Sequence, residues 1–83
     1  MSNSWYVYLL RCSDCSLYTG ITTDITRRLK EHNHSNKLGA KYTRVRRPVS
    51  LVYKEEHASR SAASKREYQL KQLTKQQKER LIN

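Results

Sequence analysis

The apolar positions fall into short blocks whose period changes along the chain. Trp5 to Arg11 is an unbroken aromatic, β-branched and aliphatic run ending on a base, too short for a helix and of strand composition. Ser13-Asp14 is a turn signal and Ser16 to Ile21 resumes the strand pattern, so the two runs predict a β-hairpin. Thr22, Thr23 and Asp24 then offer N-capping oxygens. Ile25, Leu29 and His32 recur at helical spacing, which predicts a helix from about Ile25 to about His34. Asn33 to Pro48 contains Asn36, Gly39 and only scattered apolar residues, and reads as a loop. Val49 to Tyr53 is a third strand, with Lys54 to His57 at its polar end. Ser59 caps a helix holding Ala62, Ala63, Leu70 and Leu73, and Thr74 caps a last short helix, Lys75 to Ile82, whose Leu81 and Ile82 dock back.

The order β-β-α-β-α-α predicts an α+β fold: a three-stranded antiparallel sheet flanked by helices, as one domain over residues 1–83. A hairpin alone is unstable in water, so the third strand must join it. In the first strand Tyr6, Tyr8 and Leu10 face one way, and Trp5, Val7 and Leu9 the other.

Charge narrows the partners. The 83 residues carry 17 Lys plus Arg against 7 Asp plus Glu, a net charge of +10, and such a field attracts polyanions. Nucleic acid leads, because neutralising phosphates releases condensed counterions. From Arg27 to Arg47 the bases Arg27, Arg28, Lys30, Lys37, Lys41, Arg44, Arg46 and Arg47 face Glu31 alone. No stretch approaches the ~20 apolar residues of a membrane span, and the start MSNSWYVYLL lacks the basic and apolar regions of a secretory signal. A cytoplasmic protein with no membrane partner is expected. Cys12 and Cys15 form a single C-x2-C without finger-type histidine spacing, and read as turn-flanking thiols rather than a zinc site.

Several polar residues fall on apolar faces. Arg28 lies three residues after Ile25 and four before His32, so Arg28 and His32 share an edge of the first helix's buried stripe, while Arg27 points elsewhere. An ordinary solvated helix edge explains the same spacing. On the next long helix Ala63, Glu67 and Leu70 stand one above another, and Glu67 is the only acid between His57 and Thr74. A carboxylate among apolar neighbours needs a cation, a metal or several donors: Arg28 would serve, and so would Mg²⁺ completed by water and phosphate. Tyr8 and Tyr18 share a face only if the hairpin loop is odd-numbered; a two-residue turn separates them. Gly20 permits close backbone approach by a ligand. Two phenols, a guanidinium, an imidazole and a carboxylate in a basic protein suit metal-assisted phosphodiester cleavage.

Tyr6-Val7-Tyr8 followed after a short interval by Tyr18-Thr19-Gly20, then Arg28, His32 and Glu67, resembles the paired signature of the GIY-YIG nuclease superfamily, and most closely its small stand-alone bacterial members. Tyr6 stands where the first triplet has glycine, Thr19 in the middle of the second, and Ile21 where some members carry a lysine. The resemblance implies an endonuclease in which Glu67 holds Mg²⁺ (or Mn²⁺), weakly bound without substrate. Tyr8 or Tyr18 would take a proton from the attacking water, Arg28 would stabilise the developing charge, and His32 would accept or relay the proton. Arg27, Lys41, Arg44, Arg46, Arg47 and Lys71 are expected to contact nucleic acid, DNA in preference to RNA, with a protein partner supplying target choice. The alternative is a nucleic-acid-binding domain of the same fold that cleaves weakly or not at all.

Overall fold

Trp5–Arg11 forms β1, the central strand of the sheet. Its side chains alternate between two helix layers, so both faces of the strand are buried and nearly every position is apolar or aromatic. The structure, a computed structural model, describes residues 4–82. β2 (Leu17–Thr22) and β3 (Ser50–His57) flank β1 in the order β2-β1-β3, both antiparallel to it. The helices are α1 (Ile25–His34), α2 (Lys41–Arg44), α3 (Arg60–Lys71) and α4 (Lys75–Ile82). No helix among the described residues is long and apolar enough to cross a membrane.

One face of the sheet buries Tyr8, Leu10, Cys12 and Val49, packed by Tyr18, Ile25, Leu29 and Leu51; this is the α1 layer. The other buries Val7 with Ala63 and Leu70 of α3, packed by Trp5, Ile21, Leu73 and Leu81. Fully burying a Leu or Val side chain contributes roughly 1.5–3 kcal/mol, so Leu9, Leu10, Leu70 and Val7, all essentially without solvent contact, dominate the stability of so small a core.

The hairpin loop settles the register. Arg11 pairs with Leu17, Leu10 with Tyr18 and Tyr8 with Gly20, which leaves Cys12 to Ser16 as an odd-numbered connection. The tight return is closed by Cys15 N–H to the Cys12 carbonyl and Cys12 N–H to the Ser16 carbonyl, each at 2.9 Å. Asp14 Oδ1 accepts from the Ser16 amide at 3.0 Å and from its hydroxyl at 2.6 Å. Cys15 takes the left-handed backbone at φ 68°, a conformation usually left to Gly, Asn or Asp. Tyr8 and Tyr18 therefore share the α1 face.

A bulge in β3 serves the same end. Leu9 pairs with Tyr53 but Leu10 pairs with Leu51, so Val52 is the extra residue and the alternation shifts across it. Leu51 joins the α1 layer, while Tyr53 and Glu55 face α3. There Arg66 Nε donates to Glu55 Oε1 at 2.9 Å and Tyr53 donates its hydroxyl to Oε2. Burial works against that carboxylate's charge, but these hydrogen bonds and one to His57 hold it down at about 2.

Local chemistry fixes the helices. Asp24 caps α1 by accepting from the Arg27 amide at 3.0 Å, and Ser59 caps α3 through the Ala62 amide at 3.1 Å, each worth about 1 kcal/mol. Asn33, late in α1, clamps the residue before β3: Nδ2 donates to the Val49 carbonyl at 2.9 Å and Oδ1 accepts from its amide at 2.7 Å. The segment expected to be loop from Asn33 to Pro48 contains the short helix α2, whose N-cap residue Ala40 supplies no side-chain cap. The Arg47 guanidinium organises the segment instead, donating to the carbonyls of His32 at 2.6 Å and Ser35 at 2.8 Å and to Asn36 Oδ1 at 2.9 Å. These satisfy carbonyls that the C-terminus of α1 leaves open.

Gly20 carries the tightest constraint. A Cβ there would lie 2.4 Å from the Tyr8 hydroxyl and 2.6 Å from Cζ, so the Tyr8 ring lies across the glycine and occupies the room that the sequence offered to a ligand. The ring is 2% exposed and cannot swing aside freely. Gly20→Ala is expected to cost about 1–3 kcal/mol in denaturant unfolding and to displace the Tyr8 ring; an unchanged midpoint with unchanged aromatic chemical shifts would contradict the contact.

Candidate active site

Tyr8 crosses Gly20 toward α1 and ends at His32, where its hydroxyl lies 2.9 Å from Nε2. His32 is fully buried and is the one buried residue of α1. The Tyr18 ring approaches the same imidazole edge-on, 5.2 Å between centroids, and the Tyr8 ring at 5.9 Å. The other imidazole nitrogen, Nδ1, lies 2.8 Å from Thr43 Oγ1 of α2, itself fully buried. Thr43 Oγ1 donates to the Ala40 carbonyl at 3.0 Å.

Arg28 stands beside the phenol. Its Nη1 donates to Glu31 Oε1 at 2.8 Å and to the Leu38 carbonyl at 2.7 Å, and with Tyr8, Leu10, Ile25 and Leu29 it lines a narrow cleft. Burial pushes the Tyr8 phenol up to about 12, although the Arg28 guanidinium pulls the other way. Burial, reinforced by Arg28, pushes His32 down to about 4. At neutral pH both rings are therefore uncharged, joined by a hydrogen bond in a low-dielectric setting.

Glu67 projects from α3 and is paired with Lys71 one turn on, at 3.4 Å. Of the two partners open to Glu67, the Arg28 pair is not formed: Arg28 pairs with Glu31 and Glu67 with Lys71, both within single helices. Glu67 is nonetheless half-buried, and its charge acts on the Tyr8 phenol, raising it further. Among the described residues no three His, Cys, Asp or Glu side chains come together as metal ligands. A single carboxylate of this kind would suit a hard cation, Mg²⁺ or Mn²⁺, whose remaining ligands are water and substrate phosphate, rather than a closed site built from several His or Cys side chains.

The remaining cations divide into braces and free-standing charges. Arg47 is committed to α1. Arg46 covers the Tyr42 ring with Cζ 3.8 Å from its centroid, and donates to Asp14 Oδ2 at 3.1 Å and to the Tyr42 carbonyl at 2.9 Å. Tyr42 in turn stacks on Tyr18 at 5.8 Å. Arg27 is more than half exposed and leans on Glu31. Lys41 and Arg44 are exposed on α2, although Arg44 Nη1 donates to the Asn36 carbonyl at 2.8 Å.

Thr43, Tyr42 and Lys54 were not singled out by the sequence pattern. Lys54 sits directly opposite Tyr8 on the β1–β3 ladder, on the same face; the β3 bulge hides this from simple alternation. Thr43 gives no periodic signal, because it belongs to a four-residue helix inside an irregular segment.

Two phenols, an imidazole and a guanidinium thus converge on one face of the β2-β1-β3 sheet, with a carboxylate within electrostatic reach. The chain belongs to the GIY-YIG family: the GIY-YIG catalytic domain matches residues 4–80. It is 58% identical over 79 residues to a UPF0213 protein of Desulfotalea psychrophila, covering 95% of this chain and 71% of that one. A UPF0213 protein of Staphylococcus aureus is 52% identical over 80 residues, covering 96% of this chain and 95% of the relative. Two solution NMR structures are similar to it. A protein from E. faecalis is 49% identical with a TM-score of 0.65, covering 96% of this chain and 85% of that one. A UPF0213 protein from Bacillus halodurans is 46% identical with a TM-score of 0.60, covering 95% and 82%.

The neutral imidazole makes a pH prediction. His32 titrates in the folded protein near 4, below the ordinary 6.5, so between those values the unfolded chain binds more protons than the native state. The stability contributed by the neutral ring is complete above pH 6.5 and lost as the pH falls toward 4, amounting to about 3 kcal/mol at ~1.4 kcal/mol per pH unit. Glu55 and Glu79, both held at about 2, lose theirs at lower pH. Urea unfolding at stepped pH should show the first loss in the His32 window, with an NMR midpoint for His32 near 4; a midpoint near 6.5 contradicts the buried neutral ring.

Proposed function

We propose that this protein is a divalent-metal-dependent endonuclease acting on DNA, with target choice supplied by a protein partner. The observation that carries the reading is the hydrogen-bonded Tyr8–His32 pair with Arg28 beside it, on one side of the sheet, in a chain of net charge +10. The family membership supports the same reaction class.

The residues divide the work as follows. Tyr8, at a resting value of about 12, is no phenolate at neutral pH. It acts by accepting a proton from the attacking water on its oxygen while passing its own proton to His32 Nε2, so no free phenolate need form. Arg28 directs its charge at the non-bridging phosphate oxygens, where negative charge grows. Tyr18 packs the imidazole edge and keeps water from the far side. Glu67 would hold Mg²⁺ or Mn²⁺ once it releases Lys71, and a cation there would offset charge on the phosphate and the leaving oxygen. Arg27, Lys41, Arg44 and Lys71 supply exposed charge for the phosphate backbone, and Arg46 and Arg47 shape the surface that carries it.

A second reading, a binding domain with little or no turnover, is favoured by the internal pairing of Arg28 with Glu31 and of Glu67 with Lys71. A cleavage screen over single-stranded, flap, junction and hairpin DNA with Mg²⁺ separates the two. Tyr8→Phe and Glu67→Ala should each lower the rate by about 100-fold or more, with DNA affinity within roughly twofold of the parent. Wild type and both variants binding DNA equally and leaving it intact would leave only the binding domain. Lys41→Ala with Arg44→Ala should flatten the slope of log affinity against log salt by about 1 per residue; an unchanged slope removes α2 from the backbone contact. Stronger salt-dependent binding to RNA than to DNA of equal length would reverse the substrate preference.

A further inference from the structure

Thr43 lies in a buried chain of hydrogen bonds that ends on the Ala40 carbonyl, and that carbonyl sets the direction of the chain. The Ala40 carbonyl can only accept. It takes the amides of Thr43 and Arg44, each at 3.1 Å, and lies 3.0 Å from Thr43 Oγ1. A hydroxyl has one proton, and at that carbonyl only its donation is attractive. The lone pairs of Oγ1 are then what Nδ1 of His32 meets at 2.8 Å, so Nδ1 must carry hydrogen. A neutral imidazole has a single N–H; Nε2 is therefore bare, and at 2.9 Å from the Tyr8 hydroxyl it can only accept. The direction of every bond follows: Tyr8 O–H to His32 Nε2, His32 Nδ1–H to Thr43 Oγ1, Thr43 O–H to the Ala40 carbonyl.

We infer that Thr43 is a positioning residue that fixes the tautomer of His32, and through it the direction in which the Tyr8 proton points. This rests on Tyr8 and His32 acting as the proton relay proposed above. With Nδ1–H fixed, the Tyr8 proton is committed to His32, and the oxygen lone pair that does not face the Arg28 guanidinium is left for the proton of an attacking water. The balance closes: one proton moves from water to the Tyr8 oxygen, one from Tyr8 to Nε2, and the resulting imidazolium keeps its Nδ1–H on Thr43. The opposite tautomer would aim Nε2–H at the Tyr8 oxygen, occupying a lone pair the relay needs and leaving no acceptor for the Tyr8 proton.

The hydroxyl is held for this task by backbone rather than by chance packing. Thr43 is fully buried, its carbonyl accepts from the Arg46 amide at 3.0 Å, and Arg47 anchors the same segment to the His32 carbonyl at 2.6 Å. The cationic segment before β3 thus reaches the relay through one side chain.

Long-range ¹H–¹⁵N correlation spectra of the histidine side chains at neutral pH read the tautomer without any substrate. The wild type should show His32 protonated at Nδ1 and bare at Nε2, Thr43→Val should give the other tautomer or a mixture, and Thr43→Ser should restore the first. Nε2–H in the wild type, or an unchanged tautomer in Thr43→Val, overturns the assignment; if Thr43→Val fails to fold, the wild-type and Thr43→Ser spectra still decide. On a cleaved DNA substrate, Thr43→Val should lower kcat by about tenfold or more with KM within roughly twofold, and Thr43→Ser should recover it. A changed tautomer with unchanged kcat overturns the positioning role. Nδ1–H in a wild type that cleaves nothing sinks the nuclease reading and leaves the tautomer assignment standing.

Discussion

A buried phenol bonded to a buried imidazole is the contact on which the rest of the architecture converges. For Tyr8 to reach His32 its ring must lie flat across β2, and only a residue without Cβ leaves that space, hence Gly20 opposite Tyr8. For Gly20 to be opposite, the hairpin connection must be odd-numbered, hence the Cys12–Ser16 loop with Cys15 in the left-handed region. For His32 to be met from behind, the segment after α1 must fold back as α2, hence the Arg47 brace. Each element is short and weakly determined by itself, and the shared buried polar contact makes their geometries mutually dependent. An unpaired buried hydroxyl or ring nitrogen would cost roughly 1–3 kcal/mol, a large share of the stability available to a small domain.

The charge is spent unevenly. Several arginines act as structural donors: Arg47 closes the end of α1, Arg66 holds Glu55, and Arg11 forms a two-pronged contact with Glu79 of α4, one arm at 2.6 Å. Arginine suits this use because its planar fork places several donors at fixed angles. Lys41 and Arg44 on α2 and Arg27 on α1 face solvent and keep a positive field at the surface. Composition alone counts both kinds of cation as one field; the structure separates the charges that brace the fold from those that face solvent.

Much of the fold was legible because local signals agreed. Asp24 and Ser59 cap where their side chains predict, α1 and α4 keep the expected bounds, and the alternation of β1 sorted Tyr8 from Val7 correctly. The shared face of Tyr8 and Tyr18 was not decidable, since it depended on loop parity, and a left-handed cysteine at the tip leaves no glycine or asparagine to announce it. The α2 turn was missed for a similar reason: Ala40 offers no cap, and four residues show no period. Glu67 is half-buried on α3, and of its two readable partners the Arg28 pair is not formed, because each residue finds a partner one turn away on its own helix. The role of Gly20 was legible as a need for space, though not as space for Tyr8. Thr43 had no sequence signal, because its importance comes entirely from what packs against it.

The measurement that bears most directly on the buried phenol–imidazole contact is an alkaline titration of ring-labelled tyrosine followed by NMR, with the Tyr8 resonance assigned from its loss in Tyr8→Phe. A phenol buried against His32 should hold its proton until the pH reaches about 12. Ionisation of that resonance at the ordinary value of 10.0 or below would mean that Tyr8 is solvated, that the ring does not lie across Gly20 to His32, and that the relay built on it does not exist.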